Sequence, residues 1–223
     1  MTWRELPPLR TDVAAQLPEL GALKLVASRI SDCTDTLWPE ERPAIARARD
    51  RRAHEFATGR HLVRCALEDL GESACAVPRA EDRSPVWPEG LIGSITHAND
   101  LAIAAVARAG DFTSVGIDVE EPGRITEHLF GKLFTAAELR LLEGADPRLA
   151  GLMFSAKEAG YKAVNPRVGK FIGFHEAEVD VDWPSRTLRL RYVGDHAPNR
   201  IMSDGIGHFC FFERYVLTVF IIP

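Results

Sequence analysis

The segment Phe154-Ser155-Ala156-Lys157-Glu158-Ala159-Gly160-Tyr161-Lys162-Ala163 carries a helical period, and it limits what can surround it. Ser155, Glu158 and Lys162 fall three and four residues apart, so a helix here puts them on one side. Leu149, Leu152, Ala156, Ala159 and Ala163 make the other side small and apolar, which suits close packing on a core. Asp146-Pro147 offers a cap and a first-turn proline, and Asn165-Pro166 predicts the end. The polar side has a use beyond solubility only if it meets a second charged element.

Ser114-Val115-Gly116-Ile117-Asp118-Val119-Glu120 is the candidate for that element. Strict alternation puts Val115, Ile117 and Val119 on one face of a strand and Gly116, Asp118 and Glu120 on the other. Two carboxylates then project from one side, about 7 Å apart at the rise of a strand. Oxygen-only ligands at that separation suit Mg²⁺, which is commonly bound by one or two carboxylates together with substrate phosphates. Gly116 beside them leaves room for a bulky group to approach. Taken alone, the same pattern also describes an ordinary half-exposed strand.

Other segments complete an α+β pattern. Leu23 to Ile30 reads as a strand, and Phe56, Val63, Leu67 and Leu70 predict a long helix from Pro43 to Leu70 closed by Gly71. That helix is rich in arginine, with Arg42, Arg47, Arg49, Arg51, Arg52, Arg60 and Arg64. Acids including Glu41, Asp50, Glu55, Glu68 and Asp69 are interleaved, so taken alone a solvated charged face explains it better. Residues 72–90 read as a proline-punctuated loop carrying Arg79 and Arg83, followed by a hairpin from Leu91 to His97 and Leu101 to Ala107. Thr135 and Glu138 form a capping box for a short helix. Glu176 to Trp183, Thr187 to Val193, His208 to Glu213 and Tyr215 to Ile222 predict a closing antiparallel sheet. The order gives two similar α+β halves, residues 1–113 and 114–223, with the site expected in the crevice between them.

A net charge of −5 argues against a protein that coats nucleic acid. Cys33, Cys65, Cys75 and Cys210 have no CxxC spacing, so buried reduced thiols are expected rather than zinc or a disulfide framework. Met1 to Arg10 lacks the apolar core of a signal peptide, and the apolar run Tyr215 to Ile222 is far shorter than a spanning helix needs. A cytoplasmic protein without a membrane segment is expected.

The strand Val115-Gly116-Ile117-Asp118-Val119-Glu120 and the helix from Phe154 to Lys162, in that order and spacing, resemble the signature of the 4′-phosphopantetheinyl transferases. Gly93 to His97 resembles a further motif of that family, and Arg51-Arg52 to Arg60 its N-terminal basic helix. The length places the chain with the pseudo-dimeric, Sfp-type members, in which the two halves form the 4′-phosphopantetheinyl transferase fold. The resemblance implies transfer of 4′-phosphopantetheine from coenzyme A to a serine of an apo acyl, peptidyl or aryl carrier protein, leaving 3′,5′-ADP.

The resemblance also implies site roles. Asp118, Glu120 and Glu158 hold Mg²⁺, with Mn²⁺ as the substitute, and Glu158 and Lys162 are the catalytic pair. Whether Glu158 serves as general base, metal ligand or both stays open. Arg52, Arg60, Thr96, His97, Asp118, Lys157 and Lys162 are implied coenzyme A contacts, joined by Arg79 or Arg83 from the loop. Lys157 and Lys162 are implied to reach the phosphates. A chain holding both halves is expected to work as a monomer. The apolar run Leu129 to Phe134 reads either as a carrier-docking surface or as ordinary core. A hydrolase of nucleotide-linked pyrophosphates would use the same carboxylates, and a non-catalytic carrier or coenzyme A binder is the third reading.

Overall fold

The computed structural model describes Leu17 and residues 20 to 223; the stretch Met1 to Arg10, read above for a signal peptide, lies outside the described residues. The chain divides into two units, the first closing at Asp111 and the second running from Phe112 to Pro223.

The first unit is built from β1 (Lys24–Arg29), α1 (Asp50–Asp69) and the hairpin β2 (Leu91–Ala98) and β3 (Leu101–Arg108). Its antiparallel sheet has the order β1-β3-β2. β3 carries alanine at 102, 104, 105 and 107, all fully buried, and such small side chains let α1 lie close over the sheet. Leu62, Val63, Ala66 and Leu67 of α1 fill the core with Ala102, Ala104 and Val106. Each fully buried Leu or Val there contributes about 1.5–3 kcal/mol from its apolar surface. Gly59 is part of the fit, because a Cβ at that position would stand 2.8 Å from Ile95 Cγ2.

The helix α1 is shorter than its sequence pattern suggests. Residues 42–45 form a separate 3₁₀ turn, and α1 starts at Asp50 from Arg49 in an extended conformation. The arginine-rich run continues through both pieces, so charge composition does not mark the boundary; Pro43 opens the first.

The second unit contains β4 (Ser114–Glu120), α2 (Glu127–Leu133), α3 (Ala136–Leu142), α4 (Arg148–Val168), β5 (Ala177–Asp182), β6 (Thr187–Tyr192), β7 (Ile206–Phe212) and β8 (Tyr215–Ile222). The sheet order is β4-β8-β7-β6-β5, all antiparallel. Both units therefore share one topology. A strand leads to a helix and then to a hairpin whose last strand returns to pair with the first, β1 with β3 and β4 with β8. The second unit adds the hairpin β5-β6 at the outer side of β7.

The predicted capping box of α3 is present, with Thr135 and Glu138 bonded reciprocally. One expectation is corrected. The helix α4 continues through Pro166 to Val168 and ends at Gly169, whose φ of 68° lies in the left-handed region open to glycine. Leu133 and Phe134, the end of the candidate docking run, are buried in the core, with Leu129 and Phe130 packed against it. Of the two readings open for this run, the burial of Leu133 and Phe134 supports core; residues 129–133 belong to α2, a helix the sequence pattern does not mark. All four cysteines are free, Cys33 and Cys210 buried and Cys65 and Cys75 half-buried.

Candidate active site

The second unit brings the two charged elements of the sequence together. α4 lies directly over β4 at Gly116, where a Cβ would collide with the Ala159 carbonyl and the Ala163 amide of the helix. The bulky group accommodated by this glycine is thus the helix backbone. Ser114 and Ser155 fasten the contact: Ser114 Oγ donates to the Ala163 carbonyl, and Ser155 Oγ donates to the Asp118 carbonyl at 3.1 Å. Ser155 accordingly sits in the contact and not on an open polar face. For the same reason β4 is buried on both faces along Ser114–Val119, and only Glu120 reaches the half-buried class.

This packing leaves Asp118, Glu120, Glu158 and Lys162 grouped at one end of β4. Lys162 Nζ donates to Asp118 Oδ1 at 2.7 Å and to the Ile117 carbonyl at 3.1 Å. Burial pushes the Glu158 carboxyl above the ordinary range; Lys162 opposes the shift, and the negative charges of Asp118 and Glu120 add to it. Glu120 is likewise raised, first by burial and then by Asp118, while the backbone N–H of Glu121 works the other way at 2.7 Å.

The donors fit a hard cation in part. They are all carboxylate oxygens, and their mutual repulsion is the imbalance that a divalent cation relieves. The expected three-carboxylate cage is not assembled, however. Asp118 is turned to Lys162, and among the described residues no group of three or more His, Cys, Asp and Glu is gathered to hold a metal. The protein offers an incomplete shell, which matches the habit of Mg²⁺ of keeping water and substrate phosphate as ligands.

Lys157 departs from its expected role. It is only 3% exposed, and its ammonium donates to Glu138 Oε2 at 2.6 Å, to the Phe174 carbonyl at 2.7 Å and to the Leu133 carbonyl at 2.9 Å. An ammonium has three protons, so none remains for a phosphate. Helical spacing explains the difference, since Lys157 lies one residue before Glu158 and points toward the core as Glu158 points out. Glu138 also accepts from the Val179 amide, at 3.0 Å, joining α3, α4 and β5. A cleft beside Glu158 is lined by Tyr161, Phe171, Ile172, Phe174 and Met202.

In the first unit the basic residues divide into two sets. Arg52 Nη1 lies 2.6 Å from His97 Nε2 and 3.1 Å from Glu55 Oε2, while Arg51 Nε donates to Glu55 Oε1 at 3.1 Å. His97, from the end of β2, is 3.7 Å from the same carboxylate. Burial works to raise Glu55, but His97 and the two arginines outweigh it and hold the carboxyl below the ordinary range. Thr96, the neighbour of His97, is buried. Glu55 was read only as an interleaved acid; its spacing of three and four from Arg52 and Arg51 is the signal that it organises them.

Arg60 belongs to the second set and is corrected. It is buried, stacked 4.0 Å over the Phe56 ring, and donates to the Val77 carbonyl at 2.8 Å and the Pro78 carbonyl at 3.5 Å. Burial pulls its guanidinium down to about 10, still charged at neutral pH. Arg79 and Arg83 are both exposed on the small hairpin that follows.

Two family models match in succession, the 4′-phosphopantetheinyl transferase N-terminal domain over residues 40–107 and the 4′-phosphopantetheinyl transferase superfamily over residues 114–220. The chain belongs to the 4′-phosphopantetheinyl transferase superfamily. It is 36% identical over 214 residues to the 4′-phosphopantetheinyl transferase Svp of Streptomyces mobaraensis, an alignment covering 92% of this chain and 87% of that protein. It is 34% identical to the 4′-phosphopantetheinyl transferase PptT of Mycobacterium tuberculosis, over 76% of this chain and 74% of the relative. Enterobactin synthase component D of Escherichia coli O157:H7 is 35% identical, over 83% of this chain and 84% of its own length. The chain is therefore an enzyme of the transferase class and groups with the Sfp-type members. Among the described residues no helix is long and apolar enough to cross a membrane.

Proposed function

We propose that the protein transfers 4′-phosphopantetheine from coenzyme A to a serine hydroxyl of an apo acyl, peptidyl or aryl carrier protein. The observation that carries the reading is the packing of α4 on β4, which groups Glu158 and Lys162 with Asp118 and Glu120. The serine oxygen forms a bond to the β-phosphorus of coenzyme A, and the bond from that phosphorus to the bridging oxygen breaks, releasing 3′,5′-ADP. Glu158 takes the serine proton. Burial raises its proton affinity, the direction that strengthens a base.

Lys162 places a positive charge at the phosphates while bonded to Asp118, and Arg52 with His97 holds phosphate groups of coenzyme A through donors already aligned by Glu55. Asp118, Glu120 and Glu158 would hold Mg²⁺, with substrate phosphate oxygens completing its shell. The cation, when bound, supplies charge neutralisation on the pyrophosphate and its leaving group. We place the reaction in the cytoplasm and take the working unit as the monomer.

Incubating the protein with coenzyme A, Mg²⁺ and an apo carrier protein, and weighing the carrier by mass spectrometry, tests the proposal. A gain of one phosphopantetheine unit with equimolar 3′,5′-ADP supports it. Release of the nucleotide without any carrier present would identify a pyrophosphate hydrolase instead.

A further inference from the structure

Glu41 is fully buried, and its bonds to Arg64 and Val77 tie together parts of the first unit that the sequence keeps apart. Its Oε2 accepts from the Trp38 amide at 3.0 Å, and its Oε1 accepts from the Val77 amide at 3.0 Å. Arg64 Nη1 reaches both carboxylate oxygens, at 3.3 and 3.2 Å. Arg64 Nη2 continues to the Thr36 carbonyl at 3.2 Å and the Thr36 hydroxyl at 3.3 Å. One helical turn earlier, Arg60 takes the Val77 carbonyl. A single buried residue, Val77, is thus gripped on its N–H by a buried carboxylate and on its C=O by a buried guanidinium.

Two residues beyond Val77 the chain becomes the hairpin that bears Arg79 and Arg83. Val86 N donates to the Pro78 carbonyl at 2.9 Å, Ala80 N to the Ser84 carbonyl at 2.9 Å, and Arg83 N to the Ala80 carbonyl at 3.0 Å. Asp82 Oδ1 accepts from the Ser84 amide and hydroxyl at 2.9 and 2.6 Å. The hairpin is bonded within itself, so its direction is set where it joins Val77. Buried ion pairs are weak stabilisers, since apolar residues of similar volume commonly replace them without loss of stability. A buried pair that ends on the root of an arginine-bearing hairpin has a better use in aiming it.

We infer that Glu41, paired with Arg64, is a positioning residue that fixes the Arg79–Arg83 hairpin for contact with the phosphates of coenzyme A. The inference rests on the proposed function, and specifically on the reading of that hairpin as a coenzyme A contact. Arg60 acts with Glu41, holding the carbonyl of the same residue, Val77.

The test is a kinetic cycle on the full-length enzyme with a saturating apo carrier. Glu41→Leu with Arg64→Met replaces the pair by apolar side chains of similar volume and strands no charge, a melting curve checking its fold; Glu41→Gln, which keeps an acceptor for the Val77 amide, is the second, more conservative variant. The expected result for the apolar pair is a KM for coenzyme A raised about tenfold with kcat and the carrier KM within about twofold of the parent. Arg79→Ala with Arg83→Ala raises the same KM, and combining it with the apolar pair adds little, because both act through one contact. A role in stability alone would lower the amount of active enzyme or its melting temperature and leave the KM for coenzyme A unchanged. That result, or a combined effect equal to the product of the two, overturns the inference. If removing Arg79 and Arg83 leaves the KM unchanged, the hairpin is not a coenzyme A contact and the inference falls with that reading, while carrier modification by the parent enzyme would still stand.

Discussion

Lys162 Nζ, on α4, lies 2.7 Å from Asp118 Oδ1, on β4, and this ion pair bridges the two sequence motifs at the point where Glu158 also gathers. The lysine is the positive charge that opposes proton uptake by Glu158, against burial and two neighbouring carboxylates. Removing it by Lys162→Ala leaves that carboxyl still higher. The acid limb of the pH profile for transfer, which reports the base losing its function as it is protonated, then moves to higher pH, and kcat falls because the phosphates lose a partner. A pH–rate profile of the variant checks this; an unmoved acid limb contradicts the assignment of Glu158 as base.

Lys157 tests the correction made by the structure. Its ammonium is buried against Glu138 and two carbonyls, so Lys157→Met strands a buried carboxylate. Breaking such a pair costs about 3–5 kcal/mol, which a denaturant or thermal melt resolves. The KM for coenzyme A of the folded fraction should not change. A large rise in KM with unaltered stability would return Lys157 to phosphate binding.

The crowded carboxylates predict stabilisation by a divalent cation. Mg²⁺ added with coenzyme A should raise the melting temperature above that with coenzyme A alone, by an amount that grows with its concentration. Asp118→Asn should abolish the increment, and chelation should stop transfer by the parent enzyme. The measurement is a thermal shift series with and without the metal.

Burial pushes the Cys210 thiol up to about 12 and the Cys65 thiol up to about 11, from an ordinary 9.0. Few thiolates form near pH 8, so iodoacetamide should label the native protein slowly at these positions and rapidly once it is unfolded. The linkage has a definite sign. The raised folded-state values favour the native protein below pH 9, and that contribution is lost as the pH climbs through 11 and 12. Peptide mapping after a timed alkylation, repeated across that range, reads both effects.

Much of the architecture is legible in the sequence because it rests on short-range periodicity. The alternation of Ser114–Glu120, the hairpin of β2 and β3, and the Thr135–Glu138 capping box each depend on residues within a few positions of one another. The grouping of β4 with α4 was suggested by a family resemblance and is made physically by Gly116, whose missing side chain admits the helix backbone. What escaped the sequence are the long-range destinations of charged side chains. Lys157 and Lys162 look alike on paper, yet one is spent on Glu138 and two carbonyls while the other stands beside Asp118. Arg60 and Arg52 divide in the same way, one buried on Val77 and one beside His97. Those choices are set by which helix face meets the core, and at the ends of an arginine-rich run the composition carries no record of it.

The most direct test of the account is the transfer rate of Glu158→Gln, measured by carrier mass under single-turnover conditions beside a melting curve of the same preparation. The substitution keeps size and shape while removing both the base and one negative charge. The account predicts a rate lower by about 10²–10⁴-fold, the usual worth of a positioned general base, with the melting temperature of the apo protein unchanged or raised as the carboxylate repulsion is relieved. Transfer within a few fold of the parent enzyme by a well-folded variant would contradict it.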